Sequence, residues 1–187
     1  MILATIIGNN ASLPYGFVKS LLDVRGFNHL WGIGLYVPDN RNRIWNIMRT
    51  NGQDLLFIDS DIVFTPKDVL KMQQHLEDKD IVTGVYVMQQ KEKYSPLVMK
   101  KTNVGYELAP LEEKLFEVDA CGAGFLGISS RVIEKLETPF TQFTNPLSGE
   151  LFGEDLAFCV KAQEAGFKIW CNPEIKVGHI KTETKYA

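Results

Sequence analysis

Leu55-Leu56-Phe57-Ile58-Asp59-Ser60-Asp61 and, just beyond it, Thr65-Pro66-Lys67-Asp68 decide how this chain is read. Residues 55–58 are a continuous apolar run with no alternation, the pattern of a strand covered on both faces. Two acids end the run. Thr65 then offers a hydroxyl cap, Pro66 suits a first helical turn, and Asp68 stands where a capping box needs its acid. The order is a buried strand, an acidic turn and a helix.

The same rhythm extends in both directions. Residues 2–7 are apolar and β-branched and stop at Gly8-Asn9-Asn10, a turn signal. A helix is expected over 14–24, with Phe17, Val18, Leu21 and Leu22 on one side, then a strand over 29–37. Asn40 can cap a helix running through Ile44, Trp45, Ile47 and Met48, and residues 81–87 read as another strand. Strands alternating with helices predict an α/β fold, a mostly parallel sheet with helices on its faces.

The second half has shorter signals. Residues 94–108 and 115–119 read as short strands in a small antiparallel addition. Cys121-Gly122-Ala123-Gly124-Phe125-Leu126-Gly127 is glycine-rich and precedes a helix over 130–136; residues 138–149 hold two prolines and read as a loop. A helix over 154–165 ends at Gly166, a natural left-handed cap, and 167–171 is read as the last strand, with loop or tail from 172. No repeat or linker divides the 187 residues, so one domain is expected.

Bulk properties exclude several classes. Hydrophobic residues make up 45% and charged residues 23%, ordinary globular usage, and the formal charge is −3. Binding to a nucleic-acid backbone needs a clustered basic surface, whereas Lys91, Lys93, Lys100 and Lys101 are dispersed among other residue types, as on a solvated face. Cys121, Cys159 and Cys171 match no zinc or redox spacing and point to buried, reduced thiols. The apolar run at 1–7 lacks a basic flank and a cleavage site, and nothing approaches the roughly 20 apolar residues of a membrane span. A soluble, cytoplasmic protein is expected.

Several residues can carry chemistry, and each has a plainer reading. Asp59 and Asp61 lie beyond the carboxyl end of a buried strand, where open α/β sheets bind ligands. Two carboxylates one residue apart can present hard oxygen donors to Mg²⁺ or Mn²⁺, or can simply terminate a strand. Glu154-Asp155 opens a helix: Asp155 can be a general base, or the pair can answer the helix dipole. His179, in a non-periodic stretch, can complete a metal shell or serve as an ordinary hydrogen-bonded histidine. Gly122 and Gly124 can admit a sugar to the backbone or relieve crowding in a strand, and the same question arises for Gly84 and for Tyr86, whose ring can pack on a sugar face.

Taken in order, Arg41-Asn42, LLFIDSDIVFTPKDV (55–69), DIVTGVY (80–86), VDACGAGFLGISSRVIEKL (118–136) and GEDLAFCVKAQEAGFKIWCNPEIKVGH (153–179) resemble the GT-A glycosyltransferases. The likeness is to the small inverting, family-2-like members of bacterial, phage and viral genomes, and covers nearly the whole chain except 109–113 and 138–149. It implies a nucleotide-binding half over about residues 1–90 and an acceptor-binding half over about 91–187. It implies Asp59, Asp61 and His179 at a Mn²⁺ or Mg²⁺ ion, with Asp59 also facing the donor, and Asp155 as catalytic base with Glu154 beside it. It places Gly8, Asn9 and Asn10 near the nucleobase, with Arg41, Gly84, Gly122 and Lys181 as further donor contacts.

The implied reaction moves a sugar from a UDP-, GDP- or CMP-linked donor to a glycan or other hydroxyl acceptor, with inversion. Asp39 is the nearest acid to the usual nucleoside contact, and the usual proline near the end of the first strand is absent, which leaves the base open. The acceptor region is short and is expected to be completed by another subunit or a partner domain. A haloacid-dehalogenase-type phosphatase also uses an Asp-x-Asp turn, though normally on the first strand and followed by small residues rather than Ile62-Val63. A nucleotidyltransferase needs a first loop rich in glycine and arginine, and a non-catalytic sugar- or nucleotide-binding module needs no Asp155.

Overall fold

The apolar run does form a fully buried strand, and the sheet is built around it. The computed structural model describes residues 1–7, 12–34, 36–90, 93–144, 149 and 151–180, with the side chains of 87–95 left aside. Gly8, Asn9, Asn10, Lys91 and Lys181, and the side chain of Lys93, therefore lie outside the described set.

The first half runs β1 (Ile2–Ile6), α1 (Tyr15–Asp23), β2 (His29–Gly32), α2 (Val37–Met48), β3 (Leu55–Asp59), β4 (Ile62–Val63), α3 (Pro66–Leu76) and β5 (Ile81–Val85). Then come β6 (Val87–Gln90), β7 (Lys93–Pro96), β8 (Val98–Thr102), β9 (Gly105–Leu108), β10 (Phe116–Val118) and β11 (Ala120–Cys121). The chain continues with β12 (Phe125–Ile128), α4 (Ser130–Lys135), β13 (Phe143–Thr144), β14 (Leu151–Phe152), α5 (Glu154–Glu164), β15 (Ile169–Lys176) and β16 (Gly178–His179).

Seven strands make the central sheet in the order β10-β15-β5-β12-β3-β1-β2. β2, β1, β3, β5 and β15 share one direction, while β12 and β10 run against them, so the sheet is mostly parallel as expected. One face carries Trp45, Phe57, Phe140 and Phe158; the other carries Phe17, Phe64, Met72 and Phe125. Phe140 and Phe158 stack at 4.9 Å, and Trp45 meets both edge-on at 5.8 Å.

Several expectations are corrected. Residues 29–37 are not one strand: β2 stops at Gly32, and Pro38, whose fixed φ suits a first turn, lies at the start of α2. Asn40 is buried inside that helix and does not cap it. A Cβ on Gly32 would stand 3.0 Å from the Asn40 Cβ, so the bare glycine lets α2 rest on β2. Leu22 faces solvent, and the inward place on α1 goes to Ser20, whose hydroxyl accepts from the Phe64 amide at 3.0 Å. Residues 81–87 divide at Tyr86, and 116–118 join the main sheet through β15 rather than the antiparallel addition.

The glycine-rich stretch hides β12, a central strand between β3 and β5. A Cβ on Gly127 would lie 2.4 Å from the Met72 sulfur, so a glycine there lets α3 close onto the sheet. The segment from 172 is no tail. β15 continues to Lys176 across a register shift between Asn172 and Lys176, a span containing Pro173, which has no amide hydrogen for the ladder. β16 then pairs with β4. Cys121, Cys159 and Cys171 are buried and unbridged, and burial pushes the Cys171 thiol up to about 12. Among the described residues no helix is long and apolar enough to cross a membrane.

His29 on edge strand β2 gives the fold a pH-dependent element. Its Nε2 meets the Thr5 hydroxyl at 2.8 Å, its buried Nδ1 has no partner among the described residues, and burial lowers its pKa to about 4. Protonation therefore favours the unfolded chain, where the pKa is about 6.5. Stability from this site is complete above about pH 6.5 and is lost as pH falls toward 4. His29→Gln should flatten that part of the stability curve in urea titrations. An unchanged acid slope would show that His29 does not set it.

Candidate active site

The acidic turn sits where β1 and β3 end. The Asp59 amide donates to the Gly124 carbonyl at 2.9 Å and the Ser60 amide to the Ile6 carbonyl at 3.1 Å, which pins the turn between the first strand and the glycine-rich stretch. Ile6, Val37, Asp59, Ser60 and Asp61 line a cavity of about 190 Å³. A larger depression of about 380 Å³, between the β8–β9 hairpin and α5, is lined by Tyr106, Phe143, Phe152 and Val160. Among the described residues its lining holds Glu164 alone among acids, whereas Asp59, Asp61 and Glu154 gather about Arg41 at the acidic cleft, the candidate site.

Arg41 reaches this cleft from inside the protein. Its side chain is 4% exposed; one terminal nitrogen donates to Asp59 Oδ1 at 2.7 Å and the other to Glu154 Oε1. Burial alone would lower the guanidinium pKa, but the two carboxylates outweigh it and hold it above its ordinary value. Burial holds the Asp59 carboxyl above the usual range, with Asp61 and Glu154 adding to the rise and Arg41 offsetting part of it. Both terminal nitrogens of Arg41, expected to meet the donor nucleotide, are engaged within the protein in this structure.

Asp61 and His179 are brought together from positions 118 apart in sequence, with Asp61 Oδ2 and His179 Nε2 at 3.1 Å. The β4–β16 ladder and a 2.7 Å bond from the Ile180 amide to the Asp61 carbonyl hold them there. Their separation is that of a hydrogen bond, and it also suits a shared cation. Two ligands about 2.1 Å from one ion, at a right angle, stand about 3.0 Å apart. An aspartate oxygen and an imidazole are donors that Mn²⁺ accepts, and Asp61 is 44% exposed, leaving room for further oxygen ligands. The pair fits a divalent ion. Among the described residues no third His, Cys, Asp or Glu joins them in a ready-made cage.

Tyr86 is a pillar under this turn, not an exposed sugar platform. It is 6% exposed, its hydroxyl accepts from the Gly124 amide at 3.0 Å, and its ring meets His179 edge-on at 5.9 Å. Burial, then the Asp59 charge, drives the phenol well above its usual pKa, so it stays neutral. A Cβ on Gly122 would fall 2.1 Å from the Tyr86 hydroxyl oxygen, and one on Gly124 would fall 3.0 Å from its ring. These glycines make room for Tyr86. Gly84 likewise makes room for Ile175 and Phe125, 2.8 and 3.1 Å from its ideal Cβ.

Asp155 lies in the first turn of α5, its Oδ1 accepting from the Leu156 amide at 2.8 Å. Burial, then the neighbouring Glu154, holds its carboxyl above the usual range, with the Leu156 amide and Arg41 pulling the other way. Raised basicity suits a proton acceptor. Asp39, the candidate nucleoside acid, is exposed in the first turn of α2. The role of Arg41 could have been found in the sequence. Arg41, Ile44, Trp45 and Met48 share one helical face, and a cation on an apolar face needs a buried acid.

No family model matches the sequence, and no curated protein matches it. Solved structures do. The crystal structure of A197 from STIV is 21% identical with a TM-score of 0.70, over 97% of this chain and 87% of that one. The crystal structure of GalNAc-T7 with UDP, GalNAc and Mn²⁺ is 12% identical with a TM-score of 0.62, over 98% of this chain but 44% of that longer one. At such identities the likeness concerns the fold, and it agrees with a mostly parallel sheet carrying an acidic turn at its carboxyl edge. The fold of this chain is that of the GT-A glycosyltransferases.

Proposed function

We propose that this chain transfers a sugar from a nucleotide-sugar donor to a hydroxyl acceptor, with a divalent ion at Asp61 and His179 and with inversion at the anomeric carbon. The observation that carries the reading is the Asp61–His179 pair at 3.1 Å on the acidic turn, whose Asp59 the buried Arg41 ties to Glu154, the neighbour of Asp155 in the first turn of α5. The UDP and Mn²⁺ bound by GalNAc-T7, which shares the fold, support a similar donor here. Residues 1–90 would hold the donor and 91–187 the acceptor, as parts of one domain.

On this reading Asp155 accepts the proton of the acceptor hydroxyl. The oxygen forms the new bond to the anomeric carbon while the bond to the donor phosphate oxygen breaks, and the nucleotide leaves with that electron pair. Mn²⁺ or Mg²⁺, when bound, supplies Lewis-acid neutralisation of the leaving phosphates. Asp59, a third of whose side chain remains exposed, faces the donor with the oxygen that Arg41 does not hold. Positioning and charge neutralisation account for the acceleration, with no covalent enzyme intermediate. The phosphatase alternative is disfavoured because the acidic turn follows the third strand in sequence, not the first, and Asp59 is tied to Arg41.

Two measurements test this. Thermal midpoints with UDP, GDP or CMP, each with and without Mn²⁺, should rise only when a cognate nucleotide and the metal are present together. Asp61→Ala and His179→Ala should each remove the metal-dependent part; no shift with any nucleotide would refute the reading. Asp155→Asn should keep the shift and lower sugar transfer by roughly 10²–10⁴-fold, the usual worth of a general base. Unchanged transfer in that variant would remove Asp155 as the base, whereas nucleotide binding with neither transfer nor hydrolysis, unaffected by Asp155→Asn, would point to a binding module.

A further inference from the structure

The two acids that open α5 are adjacent in sequence but differently employed. Glu154 is 18% exposed and its Oε1 is taken by Arg41, whose other arm holds Asp59 at the end of β3. Asp155 instead accepts from the Leu156 amide through Oδ1 at 2.8 Å. We infer that Arg41 and Glu154 are positioning residues, a clamp that fixes the first turn of α5 against the acidic turn and so sets where Asp155 stands. This rests on the transferase reading and assigns Glu154 no part in proton transfer.

The geometry explains why these residue types are used. The clamp joins elements distant in sequence: Arg41 is 18 residues from Asp59 and 113 from Glu154. A guanidinium carries separate donors in a fixed planar fork and can address two carboxylates at once, whereas the single ammonium of lysine acts as a point charge. On the acid side the clamp needs reach and an acceptor oxygen. Glutamine keeps both without the charge, while aspartate keeps the charge and loses a methylene of reach. A general base needs the opposite: charge is indispensable, and a glutamine is inert.

That opposition makes the test. UDP release from UDP-glucose and UDP-GlcNAc, and GDP release from GDP-mannose, with water as acceptor, would be followed in the full chain with Mn²⁺. Glu154→Gln should lose no more than about tenfold in kcat and Glu154→Asp about 100-fold, both with the nucleotide–Mn²⁺ thermal shift retained. Arg41→Lys should resemble Glu154→Asp, and the double variant should be less than about threefold worse than either, because both changes open one clamp. The reverse order, with the aspartate variant active and the glutamine variant dead, would overturn the inference while leaving the transferase reading intact. So would a double variant whose losses multiply. A wild-type chain that releases no nucleotide and shows no shift would instead sink the transferase reading, and the clamp assignment with it. Far-UV circular dichroism identifies a variant that fails to fold, and the Gln–Asp comparison then stands without Arg41→Lys.

Discussion

A guanidinium buried between two carboxylates is the constraint on which the cleft depends. Arg41 stands on the apolar face of α2, where an unpaired cation could not remain, and its partners Asp59 and Glu154 come from the end of β3 and the start of α5. Removing one member of such a buried pair typically costs about 3–5 kcal/mol, a large share of a domain's marginal stability. The fold therefore cannot place α2, β3 and α5 independently. The same contacts that complete the core also set the distance between the acidic turn and the helix bearing Asp155.

Around that bridge the polar residues are supported from below. Tyr86 fills the space that Gly122 and Gly124 leave, accepts the Gly124 amide, and presents its ring to His179. The carbonyl of Gly124 in turn receives the Asp59 amide. The glycines thus act by yielding volume to an aromatic support, and their backbone groups carry the turn. Cavity size does not single out the acidic cleft, which is smaller than the depression beside α5; convergence of charged groups does.

Much of the architecture was legible because its signals are local. Residues 55–58 read as a doubly covered strand, and Thr65, Pro66 and Asp68 read as the start of a helix, because capping and burial act within a few residues. The central strand β12 was not legible. Its Gly127 accommodates Met72, and Gly122 and Gly124 just before it accommodate Tyr86, partners distant in sequence, and these glycines erase the β-branched pattern by which strands are recognised. β15 was cut short for a related reason: Pro173 looks like a terminator, yet the sheet absorbs it in an irregular register. The acids of the candidate site stood out in the sequence, but not which acid pairs with which cation: Arg41, read there as a donor contact, pairs with Asp59 and Glu154 from the inward face of its helix.

The irregularity in β15 has a consequence for the order in which the protein becomes competent. Asp61 is made 118 residues before His179, which is delivered only after β15 has taken its place and β16 has turned back onto β4. A nascent chain thus carries its acidic turn through 118 residues of synthesis before the imidazole that completes the pair. Assembly of the cleft is coupled to closure of the sheet, so until β16 docks on β4 the acidic turn stands without its imidazole.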